Sequence, residues 1–457
     1  MSDRLNRLLN MQKLRKTVWL LAVSRCWGAV SATSLPKPFG PFSPAMLTTQ
    51  LVDYAHNAPF SPSDDIPRIL GISIFYPTAT NTTVATSYWP PENAAEDSEA
   101  NIASGVNITH EKLLSLTVPL APPNTSIAAP PANSSSSSWP VLLFSPALGE
   151  ARFLYASLLR QISSNGFVVI AFDTAYDTNV FVLANGTVVQ GNSTLDSISR
   201  EAATISAEAR AQDASFILNH THESITSLIP GCKDTCLNTT NVGMFGHSIG
   251  GAASAAAILA DSRIIGGINY DGALLGPVIQ KGLNHRPFLI FGTQNQSRLD
   301  TGPLTTLTNW TTVWPRIKEA PKWWLLLNNS RHYTFSDLPL IAQKLGVKPN
   351  ETSLVAAQLT DADAVRSERA LVTYTVAFFK SVFTGKVQKL MKGGSKKWPE
   401  VVFDTVSLNE KIGKGGTGTD AQPVYSGAGA HSMDDRAVGV GKAIGMGLLA
   451  LFLLEDT

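Results

Sequence analysis

Charge is what this chain has least of. Only 16% of its 457 residues are Asp, Glu, Lys or Arg, and the signs nearly cancel, 36 basic against 35 acidic. With a net charge of +1 there is no basic excess to hold a nucleic acid. Cysteine is nearly absent, at 3 residues. Cys232 and Cys236, in GCKDTC, have no histidine beside them and supply too few ligands for a metal. Their spacing suits a small disulfide loop in an oxidising compartment, or a reduced pair. The final apolar stretch, AIGMGLLALFLL (443–454), is too short for a secure membrane span.

What is present points outward from the cell. Hydrophobic residues make up 44%, enough for a sizeable core. Lys13, Arg15 and Lys16 precede the apolar run TVWLLAV, and Val30 and Ala32 supply the small residues of a signal-peptidase site. Residues 1–32 therefore read as a signal peptide, with an uncleaved anchor as the alternative and Met11 as a second candidate start. Asn-x-Ser/Thr occurs at twelve positions, from Asn81 to Asn350, as in a glycosylated secreted protein. Near the C-terminus, Ser426, Gly427 and Ala428 precede a polar spacer and the apolar tail, the order of a lipid-anchor signal. Lys442 and the ending EDT stand against that reading.

Residues 33–64 are Pro-rich and read as an irregular entry, although RILGISIFYP (68–77) has the composition of a strand. An insertion at about 80–138 carries sequons and a serine run that cannot build a core, with one further strand expected over 113–120. From Trp139 the pattern changes. Apolar runs at 140–146, 167–173, 241–246, 264–271, 287–292 and 322–328 read as buried strands. Helical patterns at 152–166, 193–220, 250–260 and 362–384 fall among them. Such alternation predicts an α/β fold, with a mostly parallel central sheet and helices on both faces, over 65–385. Residues 386–457 read as a flexible tail.

The motif GHSIGG, Gly246 to Gly251, lies between the apolar run NVGMFG and a Gly/Ala helix. That is the setting of a nucleophile elbow, whose strained turn needs small neighbours. Ser248 is the candidate nucleophile. A serine hydroxyl needs a base, itself oriented by a carboxylate, and in this architecture the order is Ser, acid, His. Asp271 ends the next strand and is the candidate acid, with Asp300 in reserve. His332 follows the last apolar run and falls at the carboxyl edge of the sheet, where such sites form. His285 precedes a strand, on the wrong edge, and His431 lies in the tail. His247 is expected to support the elbow. The backbone N–H groups of Ile249 and Leu148, the latter in PALGE after the first core strand, are the candidate oxyanion hole.

In FSPALGEARFLYASLLRQISSNGFVVIAFDTAYDT, GHSIGG, INYDGALLG and RHYTFSD, the chain resembles the platelet-activating factor acetylhydrolase family, in its secreted fungal type. The resemblance covers roughly residues 65–385. It implies an α/β-hydrolase fold, hydrolysis of short sn-2 acyl esters of phospholipids without calcium or other cofactor, and the triad Ser248, Asp271 and His332. Animal members carry His-Gly before the oxyanion leucine, where this chain has Pro146-Ala147. A cutinase-like polyesterase and a non-catalytic surface glycoprotein are the competing readings. The expected partner is an ester or phospholipid substrate, with the enzyme associated with the membrane surface if the tail carries a lipid. Acyl length, headgroup and oligomeric state are not set by the sequence.

Overall fold

The computed structural model describes residues 32–90, 108–130, 137–192, 199–233, 235–294, 296, 308–347, 359 and 362–408. All but Ala32 of the expected signal peptide, Asp300, His431 and the anchor-like tail lie outside the described residues.

The strands and helices follow in order. Thr33–Ser34 (β1), Ser43–Asn57 (β2), Pro67–Thr78 (β3) and Val84–Ser87 (β4) precede a short helix, His110–Ser115 (α1), and Leu116–Leu120 (β5). The core begins with Trp139–Ser145 (β6), Ala156–Ser164 (α2) and Val168–Thr174 (β7). A small hairpin follows, Val180–Val182 (β8) with Val188–Gln190 (β9), and then Arg200–His220 (α3). Next come Leu237–His247 (β10), Ile249–Ala260 (α4), Ile264–Tyr270 (β11), Phe288–Thr293 (β12) and Lys322–Leu327 (β13). Leu338–Leu345 (α5), Ala364–Thr384 (α6) and Val401–Ser407 (β14) complete the series.

Nine strands form one sheet in the order β14-β13-β12-β11-β10-β6-β7-β3-β2. The six from β13 to β7 run parallel, and the outer strands β14, β3 and β2 pair antiparallel. Parallel strands are covered on both faces, and β7, VVIAFDT, is buried throughout. α2 and α6 pack over one face with Phe144, Phe245 and Phe291. α3 and α4 cover the other with Leu143, Met244 and Ile290. Local signals set the helix ends. Ser199 accepts a hydrogen bond from Ala202 N–H at the start of α3, and Asp363 does the same for Arg366 N–H at α6. Gly385, left-handed at φ 65°, stops α6.

Three expectations need correction. The stretch 33–64 is not irregular, because β2 runs for 15 residues along the sheet edge. Its outer position leaves it half-exposed, so its polar residues hide the strand pattern. The 80–138 insertion is partly built: β1, β5 and β4 make a second sheet, and the strand expected at 113–120 is the end of α1 followed by β5. The segment after 385 is not all tail, since β14 pairs with β13.

Candidate active site

The parallel strands end on one edge, and the candidate residues collect there. Ser248 follows β10 directly at φ 56° and ψ −122°, a left-handed backbone unusual for any residue but glycine. Crowding explains the glycines around it. A Cβ on Gly246 would strike the backbone of Gly250, and one on Gly250 would strike the Ser145 carbonyl at the end of β6. Ser248 N–H donates to Tyr270 O at 2.8 Å, which ties the turn to β11. Ser248 immediately precedes α4 and is 8% exposed.

Asp271 follows Tyr270, also at positive φ, 52°. It is 1% exposed. Its Oδ1 accepts Thr293 N–H at 2.8 Å, from the end of β12, and its Oδ2 lies 2.7 Å from His332 Nδ1. Asn269 holds this turn, accepting Gly272 N–H at 2.9 Å, while Trp310 Nε1 donates to Gly272 O at 2.7 Å. An imidazole whose Nδ1–H donates to a buried carboxylate presents a bare Nε2, the atom that accepts a proton.

His332 opens a short 3-10 turn after β13 and is 7% exposed. Its ring packs on His247, the residue before Ser248, with centroids 4.5 Å apart. Five residues on, Asp337 anchors the loop: its carboxylate accepts Ser157 N–H at 2.6 Å and Leu158 N–H at 3.1 Å, from the first turn of α2. Tyr88 Oη donates to the same carboxylate at 2.8 Å.

His247 is fully buried, with its Nδ1 2.8 Å from Tyr155 Oη. Burial, and then the neighbouring His332, push its imidazole well below the usual value, so it stays neutral. Tyr155 Oη also accepts Ala147 N–H at 3.1 Å, linking the elbow to the 146–150 loop. In that loop Gly149 N–H donates to Asp177 O and Glu150 N–H to Ala147 O, whereas Leu148 N–H has no partner among the described residues. Ile249 is the first residue of α4, where an N–H has no partner within the helix. The Leu148 and Ile249 side chains pack in one cluster with Ala203, Ala207 and Leu275. Among the described residues, two N–H groups without a hydrogen bond thus belong to residues packed in one cluster, one of them next to the serine, an arrangement able to hold an oxyanion.

The structure bonds His332 to Asp271, ties Ser248 N–H to the residue before Asp271, and packs the side chains of Leu148 and Ile249 together. His285 is set apart, exposed beside Glu319. The sequence reading missed Thr293, Asn269, Trp310, Tyr155 and Asp337. Of these, Asn269, Asp337 and Tyr155 sit within the stretches INYDG, RHYTFSD and FSPALGEARFLY; Thr293 and Trp310 carry no local signal.

Comparison with known proteins bears on the fold and the enzyme class. Residues 17–201 match the family described as platelet-activating factor acetylhydrolase, isoform II. An Arthroderma benhamiae protein described as a probable 1-alkyl-2-acetylglycerophosphocholine esterase is 29% identical over 386 residues, 82% of this chain and 94% of that protein. A ferulic acid esterase from Streptomyces cinnamoneus superposes with a TM-score of 0.65 at 24% identity, over 82% of this chain and 99% of that one. The fold is that of the α/β-hydrolases, and the chain is a carboxylic ester hydrolase similar to the platelet-activating factor acetylhydrolase family.

Proposed function

We propose that the chain is a secreted serine esterase that hydrolyses short acyl esters, foremost the sn-2 acetyl group of phospholipids of the platelet-activating factor type. The observation that carries the mechanism is the strained Ser248 turn beside the hydrogen-bonded pair Asp271–His332. Ser248 Oγ attacks the ester carbonyl while His332 Nε2 takes its proton. Asp271 fixes the imidazole tautomer and stabilises the imidazolium. The tetrahedral oxyanion is held by the N–H groups of Leu148 and Ile249. Collapse expels the alcohol, here a lysophospholipid, with a proton from His332. Water activated by the same imidazole then releases the acid and restores the serine.

The substrate class is supported by the family match and by the name of the fungal relative. Secretion is supported by the leader-like residues 1–32 and by the Cys232–Cys236 disulfide. Among the described sequon asparagines, Asn81, Asn124, Asn185 and Asn219 are exposed, as glycan acceptors require, and Asn192, Asn238, Asn309 and Asn328 are half-buried. No helix among the described residues is long and apolar enough to cross a membrane.

The test compares wild type with Ser248→Ala on short-chain nitrophenyl esters and on an sn-2 acetyl phospholipid, with chelator present. The expected result is turnover of both by wild type and a loss of about 10⁶-fold in the variant. Turnover of nitrophenyl esters alone would narrow the reading to a general esterase. Equal rates in both proteins would remove Ser248 from the mechanism.

A further inference from the structure

The side chains at 146, 147 and 149 do little to hold the oxyanion loop in place. Pro146 lacks an N–H, Ala147 has no polar side chain, and Gly149 sits at φ 76°, where no side chain restrains it. Yet an oxyanion donor must be held to within about 0.5 Å of its productive position. Beyond the bonds of Ala147 N–H to Tyr155 Oη and Gly149 N–H to Asp177 O, side-chain restraint comes from α3. Ala203, Ala207 and Arg210 lie on one face of that helix, the alanines against Leu148 and Ile249. Arg210, 3% exposed, reaches beneath the loop.

Its guanidinium is shared between two tasks. Nε and Nη2 each donate to the Asp177 carboxylate at 2.8 Å. Nη1 donates to the Pro146 carbonyl and to Ser145 Oγ, and Nη2 makes a longer contact of 3.5 Å with the Ala147 carbonyl. Asp177 grips the other side of the loop, its backbone oxygen accepting Gly149 N–H at 3.1 Å. Burial alone would raise the Asp177 carboxyl. The charge and hydrogen bonds of Arg210 outweigh it, so the carboxylate stays ionised below its ordinary range. Leu148 is thus gripped on both sides, with its own N–H left over.

We infer that Arg210 is the positioning residue of the oxyanion hole: through its planar fork it fixes the Pro146 and Ala147 carbonyls relative to Asp177 and so aims Leu148 N–H at the reacting carbonyl. This rests on the serine-esterase mechanism above. A rigid fork is needed because one group must satisfy a carboxylate and two carbonyls at set angles. A lysine ammonium keeps the charge beside Asp177 but has no such geometry. The effect belongs to the transition state, because the hydrogen bond to Leu148 strengthens as charge builds on the carbonyl oxygen.

Two variants test this. Arg210→Lys keeps the buried charge. The double variant Arg210→Met with Asp177→Leu removes both charges, so neither is left buried alone. The readouts are kcat and KM on a nitrophenyl ester, inhibition by phenylboronate, which forms a tetrahedral adduct on the serine, and Tm. The expected result is a folded protein with kcat lowered about 10²-fold in the double variant and about 10-fold in the lysine variant. KM should stay within about threefold, and boronate affinity should fall in step with kcat/KM. Folded variants with kcat and boronate affinity within about threefold of wild type would overturn the inference. So would loss of the fold in both variants, which would make Arg210 a structural residue only. A wild type inactive on every ester would instead bring down the esterase reading, and this inference with it.

Discussion

At the scale of single residues, the site is a set of backbone conformations that cost energy and are held by neighbours. Ser248 and Asp271 both sit at positive φ, and both are tied to the strand ends beside them. The glycines of GHSIGG make that geometry sterically feasible. Gly250→Ala would drive a methyl into the Ser145 carbonyl, so a destabilisation of about 3 kcal/mol, read by urea melts, is expected. A neutral-cost substitution would mean that the strand and helix separate easily. Asp271→Asn keeps the shape but no longer fixes the tautomer of His332, and kcat is expected to fall about 10⁴-fold with KM nearly unchanged. These residues were legible in the sequence because each lies at the end of an apolar strand run. Thr293, Trp310 and Arg210 were not, because they act across 22, 38 and 64 residues of chain on partners that only the fold brings near.

At the scale of elements, the loop that delivers His332 depends on the junction of α2 with α6. Burial, and then the nearby Glu368 carboxylate, push Asp337 up to about 8, and burial raises Glu368 as well. The pair keeps a proton at neutral pH that the unfolded chain releases near pH 4. Between those values the native state binds more protons than the unfolded state. Stability therefore falls as pH rises from about 4 to about 8, by up to ~1.4 kcal/mol per unit. Glu368→Gln removes one of the two like charges, and the same fall, measured by melts at pH 5 and pH 8, should flatten. An unchanged slope would show that the proton resides elsewhere. The four longest helices and the six parallel strands were read correctly from apolar periodicity, whereas the short helices α1 and α5 were not read. β2 and β14 were missed because edge strands expose one side and carry polar residues there, which looks like loop composition.

At the scale of the molecule, both sheet edges close antiparallel, and the last of these closures matters to the site. β14 covers the free edge of β13, the strand that ends just before the His332 loop. A chain ending at residue 385 is expected to expose that edge, aggregate and lose activity, whereas one ending at 408 keeps the pairing. Comparing soluble yield and esterase rate of the two truncations checks this, and an active 385-residue product would contradict it. The central claim is that one buried-edge serine, activated by an imidazole held on a carboxylate, carries the chemistry. Its most direct test is labelling of the native protein with a fluorophosphonate, followed by peptide mapping. The account predicts a single adduct on Ser248, absent from denatured protein and from the Ser248→Ala variant. An unlabelled native protein, or an adduct on another residue, would contradict it.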